Sequence, residues 1–342
     1  MHSPLQSTTP LRVAIVGVGK VGATFAYALL LSGLASEIVL IDKNQAKAEG
    51  EAMDLNHAIP FAHPTHIWAG DYADCADAAV IVLAAGALQK PGERRLELLE
   101  RNAAIWKEIV PKVVEHSSHA ILLIATNPVD VLTYATLKLS GFPPQRVIGS
   151  GTILDTARFR YLLSEYFHVD ARSIHGSIIG EHGDSEVPIW SLANVAGMKL
   201  KDLCASRGIE YDVKAMDEIF RQTREAAFEI IQRKGATYYA VAAGIMRLTE
   251  AILRNQNTVL SISSLVQDYY GISDVCLSLP TVVNCCGIAE VLRIQLDASE
   301  IDQLGRSADV LKHAIATLNL PEQLGFLLYI SLLYLPAHLT VR

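Results

Sequence analysis

Short, near-continuous apolar runs alternate with longer stretches of helical period through the first 150 or so positions. Leu11 to Val16, Glu37 to Ile41, His66 to Ala69, Ala79 to Ala84, Ala120 to Ala125 and Arg146 to Ile148 read as strands covered on both faces. Between them, Ala23 to Leu31, Ala46 to His57, Arg95 to Glu115 and Val129 to Leu139 repeat their apolar positions at helical spacing, and Pro111 is expected to kink or break the longest. Such alternation predicts a parallel, doubly wound α/β sheet over residues 11–150. Beyond it, Asp155 to Phe167 and Asp212 to Arg254 read as helices, and Val259 to Gln267 and Val275 to Val283 as strands, which makes residues 151–320 a second, mixed α/β domain. Residues 321–342 form an apolar extension, with Leu324 to Leu335 almost wholly hydrophobic. A membrane span needs roughly 20 apolar residues. The run is therefore read as packing on the protein or on a neighbouring subunit, or as a non-native extension, with a membrane anchor as the lesser alternative.

Composition narrows the partners. At 342 residues, 51% hydrophobic and 19% charged, the chain can bury a large core in about two domains. A net charge of -7 without a long basic run argues against nucleic acid or an anionic membrane as partner, leaving small molecules and further copies of the chain. Cys75, Cys204, Cys276, Cys285 and Cys286 are odd in number and lack a C-x-x-C spacing, so they read as reduced, buried thiols of a cytoplasmic protein. Met1 to Pro10 has neither the charged nor the apolar region of a signal peptide and reads as a loose arm.

Two constellations carry chemistry. The first strand runs into Gly17-Val18-Gly19-Lys20-Val21-Gly22, which opens a helix, and Asp42 ends the next strand 20 positions after Gly22. In that context the glycines serve a tight turn, close approach of a pyrophosphate and helix–strand packing, and Asp42 would accept the ribose hydroxyls, favouring NAD over NADP. The small residues Ala84-Ala85-Gly86-Ala87 would let a dinucleotide lie against the sheet. The second constellation pairs Leu154-Asp155-Thr156-Ala157-Arg158 with Gly180-Glu181-His182-Gly183-Asp184. An aspartate and an arginine three apart on a helix share a face, so a carboxylate and a guanidinium can enter one pocket beside an imidazole. Alone, these residues are equally compatible with a surface ion pair and a loop histidine. Gly86 to Arg95, containing Pro91-Gly92, leaves a strand end as a mobile charged loop, and Thr126-Asn127-Pro128-Val129-Asp130 sits at the next strand's carboxyl end, where such sheets place ligands.

With these motifs the chain resembles the lactate/malate dehydrogenase family over about residues 11–320. The resemblance implies NAD-dependent hydride transfer between pyruvate and L-lactate by a cytoplasmic homotetramer. It makes His182 the acid/base group, Asp155 its orienting carboxylate, Arg158 the holder of the substrate carboxylate and Arg95 the group that polarises the reacting carbonyl. Gln89 and Thr237 would face the substrate's side chain, and Asn127 both substrate and nicotinamide ribose. NAD contacts are implied at Gly17, Gly19, Val21, Gly22, Asp42, Lys47, Tyr72, Gly86 and Ala87. A neutral amide at Gln89, where family members acting on malate place arginine, disfavours a second substrate carboxylate, although Arg94 could lend tolerance for oxaloacetate, so a malate or broader 2-hydroxy-acid enzyme is the alternative. Arg160 and His175 match positions that bind fructose 1,6-bisphosphate across a subunit interface in regulated bacterial members.

Other signals point to packing. His57, His63 and His66 lack a carboxylate or thiol to complete a metal ligand set, and no metal is expected. Trp190, Tyr238 and Tyr239 read as packing residues, and no nucleophilic serine or cysteine elbow is present.

Overall fold

The computed structural model describes residues 11–87 and 95–321, and of Arg95 and Leu96 only the backbone. Gln89, Arg94, the arm Met1–Pro10 and the apolar run Leu324 to Leu335 thus lie outside the described residues, as does the side chain of Arg95.

The first half alternates as its apolar pattern predicts: β1 (Arg12–Val16), α1 (Lys20–Ser32), β2 (Glu37–Ile41), α2 (Gln45–Ala58), β3 (His66–Ala69), β4 (Ala78–Leu83), α3 (Arg95–His116), β5 (Ile121–Ile124), α4 (Val129–Ser140) and β6 (Val147–Gly149). All six strands are parallel, in the order β3-β2-β1-β4-β5-β6. The order reverses between β1 and β4, and at that switch point a doubly wound sheet opens a crevice beyond its strand ends. Strand interiors such as Val13, Ile15, Val80 and Val82 are fully buried beneath α1, while Ala14, Ile81 and Leu122 pack against α3 and α4 on the other face.

The second half contains α5 (Ile153–Phe167), the two-residue strands β7 (Ile174–His175), β8 (Ile178–Ile179), β9 (Val187–Pro188), β10 (Asn194–Val195) and β11 (Met198–Lys199), then α6 (Leu200–Ser206), α7 (Val213–Lys234), α8 (Tyr239–Leu253), β12 (Thr258–Val266), β13 (Val275–Asn284), β14 (Gly287–Val291) and α9 (Ala298–Ala316). Strands β12, β13 and β14 pair antiparallel and extend the first sheet through Ser263 opposite Gly149, giving one nine-stranded sheet.

Three sequence expectations change. Asp212 to Arg254 is two helices, because Gly235 adopts φ 83° and its N–H caps Ile231 (2.8 Å), ending α7 four residues before α8 begins. A left-handed residue is a helix terminator that glycine supplies without a Cβ penalty. The helix α3 runs through Pro111 unbroken. Burial of Trp106, Val110 and Val113, with the Trp106 indole donating to Thr136 Oγ1 at 2.8 Å, holds it on the sheet despite the missing backbone donor. Finally, Cys285 and Cys286 are exposed, on the turn between β13 and β14, whereas Cys75, Cys204 and Cys276 are buried.

Candidate active site

The glycines after β1 form a cradle at the switch point. Gly17 sits at φ 97°, and a Cβ there would lie 2.3 Å from the Ala85 amide nitrogen, so the β1 and β4 loops abut too closely for any side chain. At Gly22 a Cβ would meet the Gly17 carbonyl at 2.1 Å, which seats α1 against β1. Gly19 differs, since a Cβ there meets no protein atom within 4 Å. Packing does not require glycine at that position, but close approach of a ligand backbone would. Gly19 also leaves the N-terminus of α1 without a side-chain cap, beside half-buried Val21. An uncapped helix start offers N–H groups to phosphate.

Asp42 is fixed at the end of β2 by accepting Val18 N–H through Oδ2 and Asn44 N–H through Oδ1, both at 3.0 Å. Lys47 is exposed on the first turn of α2, and Tyr72 lies half-buried under the Lys112 ammonium, 5.6 Å from its ring centre. Gly86 and Ala87 border the same crevice. A Cβ on Gly86 would strike Thr126, and Ala87 N–H donates to Asn102 Oδ1 at 2.8 Å. Asn102 in turn donates to the Asn127 carbonyl at 2.8 Å, tying the β4 and β5 loops together and leaving Asn127 exposed. These residues fit a dinucleotide with an unphosphorylated ribose.

Across the crevice, His182 is held by three elements. Its backbone N–H donates to Asp130 Oδ2 on α4 at 2.7 Å, its Nδ1 meets Asp155 Oδ2 on α5 at 2.5 Å, and the preceding Gly180 bridges Ser278 of β13. Glu181 N–H donates to Ser307 Oγ on α9 at 2.8 Å, closing the frame. Asp155 lies in the first turn of α5, where the helix dipole favours an anion, and accepts Arg158 Nη1 at 3.0 Å. Among the described residues Nε and Nη2 of Arg158 have no partner, so the outer edge of its fork is free for a second carboxylate. Asp155 is 2% exposed, whereas the side chains of Arg158 and His182 keep 12% and 21%. Thr237 is half-buried in the break between α7 and α8, the feature that the single-helix reading concealed.

Burial would lower the pKa of His182, but the Asp155 charge and its hydrogen bond outweigh it and raise the imidazole to about 9. Asp155 moves oppositely: burial alone would raise it, and His182 and Arg158 hold it below the usual range. The site is thus built to keep an imidazolium at neutral pH, with Nε2 left to carry an exchangeable proton.

Sequence reasoning missed two buried carboxyls around the histidine. Burial raises Asp130 to about 6, and its second oxygen has no hydrogen-bond partner among the described residues. Burial, and then the Asp155 charge, raises Glu186 well above the usual carboxylate range, and its Oε1 also has no hydrogen-bond partner among the described residues. Their only sequence signals were nearness to Asn127 and to His182.

Arg160 lies half-buried on α5 and donates through Nε to the Gly176 carbonyl at 2.8 Å, the residue that follows exposed His175 of β7. His66 stacks on Trp68 with ring centres 4.4 Å apart, and among the described residues no three His, Cys, Asp or Glu gather as a metal ligand set. No helix among them is long and apolar enough to cross a membrane.

Residues 11–149 match the family model of the lactate/malate dehydrogenase NAD binding domain, and residues 152–319 that of the α/β C-terminal domain of the same family. The chain belongs to the lactate/malate dehydrogenase family. It is an NAD-dependent dehydrogenase. Among similar proteins, the L-lactate dehydrogenase of Acetivibrio thermocellus is 53% identical over 309 residues, covering 90% of this chain and 98% of that protein. A probable L-lactate dehydrogenase of Schizosaccharomyces pombe is 52% identical over 310 residues, covering 91% and 94%. Among solved structures, the minor L-lactate dehydrogenase of Enterococcus mundtii, in a ligands-bound form, superposes on this dehydrogenase with a TM-score of 0.88 at 40% identity, covering 91% of this chain and 99% of that one. A lactate dehydrogenase from a Medee basin deep-sea metagenome gives 0.87 at 45% identity, covering 90% and 99%.

Proposed function

We propose that this dehydrogenase interconverts pyruvate and L-lactate. The observation that carries the reading is the Arg158–Asp155–His182 cluster, in which one carboxylate aligns a guanidinium at 3.0 Å and an imidazole at 2.5 Å. Bound NADH supplies the hydride. Arg158 holds the substrate carboxylate in its planar fork, which fixes the carbonyl relative to Nε2 of His182. His182 delivers its proton to the carbonyl oxygen, and Asp155 stabilises the imidazolium before transfer and keeps its tautomer after it. Arg95 faces the negative charge that develops on that oxygen, an interaction stronger in the transition state than before it. Thr237 and Gln89 border the methyl group, and Asn127 meets the substrate and the nicotinamide ribose. Gly17, Gly19, Val21, Gly22, Asp42, Lys47, Tyr72, Gly86 and Ala87 hold the dinucleotide.

Regulation and assembly belong to the same reading. Arg160 of α5, tied to the Gly176 carbonyl next to His175 of β7, supports a sugar-bisphosphate site shared between subunits of a cytoplasmic homotetramer. One assay tests substrate and effector together. With NADH, kcat/KM for pyruvate should exceed that for oxaloacetate, and fructose 1,6-bisphosphate should lower the apparent pyruvate KM. A variant carrying Arg160→Gln and His175→Gln should lose the second response and keep the first. A preference for oxaloacetate would instead support a malate enzyme, with Arg94 turned inward.

The raised histidine sets the pH dependence. Reduction needs imidazolium, so kcat/KM for pyruvate should hold level through neutrality and fall as pH rises through about 9. Lactate oxidation needs the neutral ring and should rise over the same range. Steady-state profiles in both directions check this, and two limbs displaced to about pH 6.5, the ordinary histidine value, would refute the Asp155 coupling.

A further inference from the structure

Strands β13 and β14 are joined by Cys285-Cys286, with Asn284 and Gly287 paired on either side of the turn. Both thiols are exposed, and their sulfurs lie 4.0 Å apart. The turn itself is tied down. Cys286 N–H donates to Asn284 Oδ1 at 2.9 Å and Cys285 N–H to Asn255 Oδ1 at 3.4 Å. Gly287 sits at φ 93°, packed so that an added Cβ would lie 2.1 Å from the Gln145 carbonyl. The frame therefore presents two sulfurs on one side-chain-accessible, conformationally fixed turn.

Closing these thiols into a disulfide is disfavoured. Consecutive Cα atoms stand about 3.8 Å apart across a trans peptide, short of the roughly 4.4–6.8 Å that disulfides span. Contracting the sulfurs to bonding distance would also pull against the asparagine-held amides. A single atom bridging both sulfurs needs no such contraction, and sulfur ligands select soft acceptors. Desolvation and the neighbouring Cys286 raise the Cys285 thiol above its usual range, so it rests protonated. Simple alkylation, which needs thiolate, is slowed accordingly. A condensation that carries the thiol protons away as water is not subject to that limit.

We propose that Cys285-Cys286 is a bidentate binding site for trivalent arsenicals. With a monosubstituted arsenic(III) oxide, two As–S bonds form as the As–O bonds break, and both thiol protons leave with the oxide oxygen as one water. Arsenic stays trivalent, and no oxidant or reductant is consumed. The buried Cys75, Cys204 and Cys276 have no adjacent thiol to chelate with. Strand β13 bridges the histidine loop at Ser278, opposite Gly180. That contact lies six residues from Asn284, roughly 20 Å along a strand, so occupancy should leave turnover unchanged.

The test treats the intact enzyme with phenylarsine oxide and reads intact mass and turnover. The expected result is one adduct per chain that survives excess 2-mercaptoethanol, is removed by 2,3-dimercaptopropanol, and leaves activity unaltered. Cys285→Ser and Cys286→Ser should each lower apparent affinity about 10²-fold, the loss that accompanies removal of one arm of a two-point attachment. Both substitutions lie on an exposed turn outside the catalytic machinery, so turnover reports that each variant is folded. An unlabelled wild type, or serine variants labelled as well as wild type, would overturn the site.

Discussion

Replacing His182 by asparagine is expected to lower kcat for pyruvate reduction by about 10³-fold, within the range general acid–base catalysis contributes. Asparagine matches the histidine closely enough to keep a polar contact to Asp155, and the backbone bond to Asp130 is indifferent to the side chain. What it lacks is a proton that can leave and return near neutral pH. The glycine cradle at Gly17, Gly19 and Gly22, proposed to hold the cofactor, belongs to the β1 side of the crevice, so NADH affinity should change less than about twofold, a contrast that separates lost chemistry from lost binding. Single-turnover kinetics together with a fluorescence titration of NADH measure both. Turnover retained within about tenfold of wild type would remove His182 from its role.

Arg158→Lys keeps the charge and removes the geometry. A lysine ammonium is a point donor that cannot grip a carboxylate at two oxygens while also holding Asp155. Loss of one hydrogen bond to a charged group costs roughly 1.5–3 kcal/mol. The expected fall in kcat/KM for pyruvate is therefore about 10- to 10²-fold, with KM raised and NADH affinity untouched. Arg158→Gln, which lacks the charge as well, should fall further. A lysine variant within about threefold of wild type would show that charge alone suffices at this position.

The parallel half was legible because its strands are covered on both faces, so their apolar runs stand out without knowledge of tertiary contacts. Strands of two residues, β7 to β11, are too short to show any period. Helix α9 had a readable start, since Asp297 and Glu300 form a reciprocal capping box, but its interior mixes charge with small residues and hid the apolar stripe of Leu304, Ala308 and Leu311. The break before α8 was also readable, from Lys234-Gly235, and was overridden by the strong helical pattern on either side. At the site, the spacing put Asp155 and Arg158 on one helix face, and the resemblance joined His182 to them. Asp130 and Glu186 could not be placed beside them, because their burial depends on α4 and the segment after His182 folding against the same loop. Gln89 and the Arg95 side chain remain assigned by resemblance and lie outside the described residues.

The seam between the halves has a consequence for protein engineering. Ile148 in β6, the edge strand of the parallel half, shares one apolar cluster with Ile153, Ala242, Ile245, Leu248, Ile262 and Val283 of the later segment, and β12 covers the hydrogen-bonding edge at Gly149. A fragment cut at residue 150 would expose both an open strand edge and the greasy underside of its first helix, the combination that makes polypeptides self-associate. The dinucleotide half is therefore not a cassette that can be lifted out and fused elsewhere. Exchange of parts between related enzymes would have to carry Tyr239–Leu253 and Thr258–Val266 along with it.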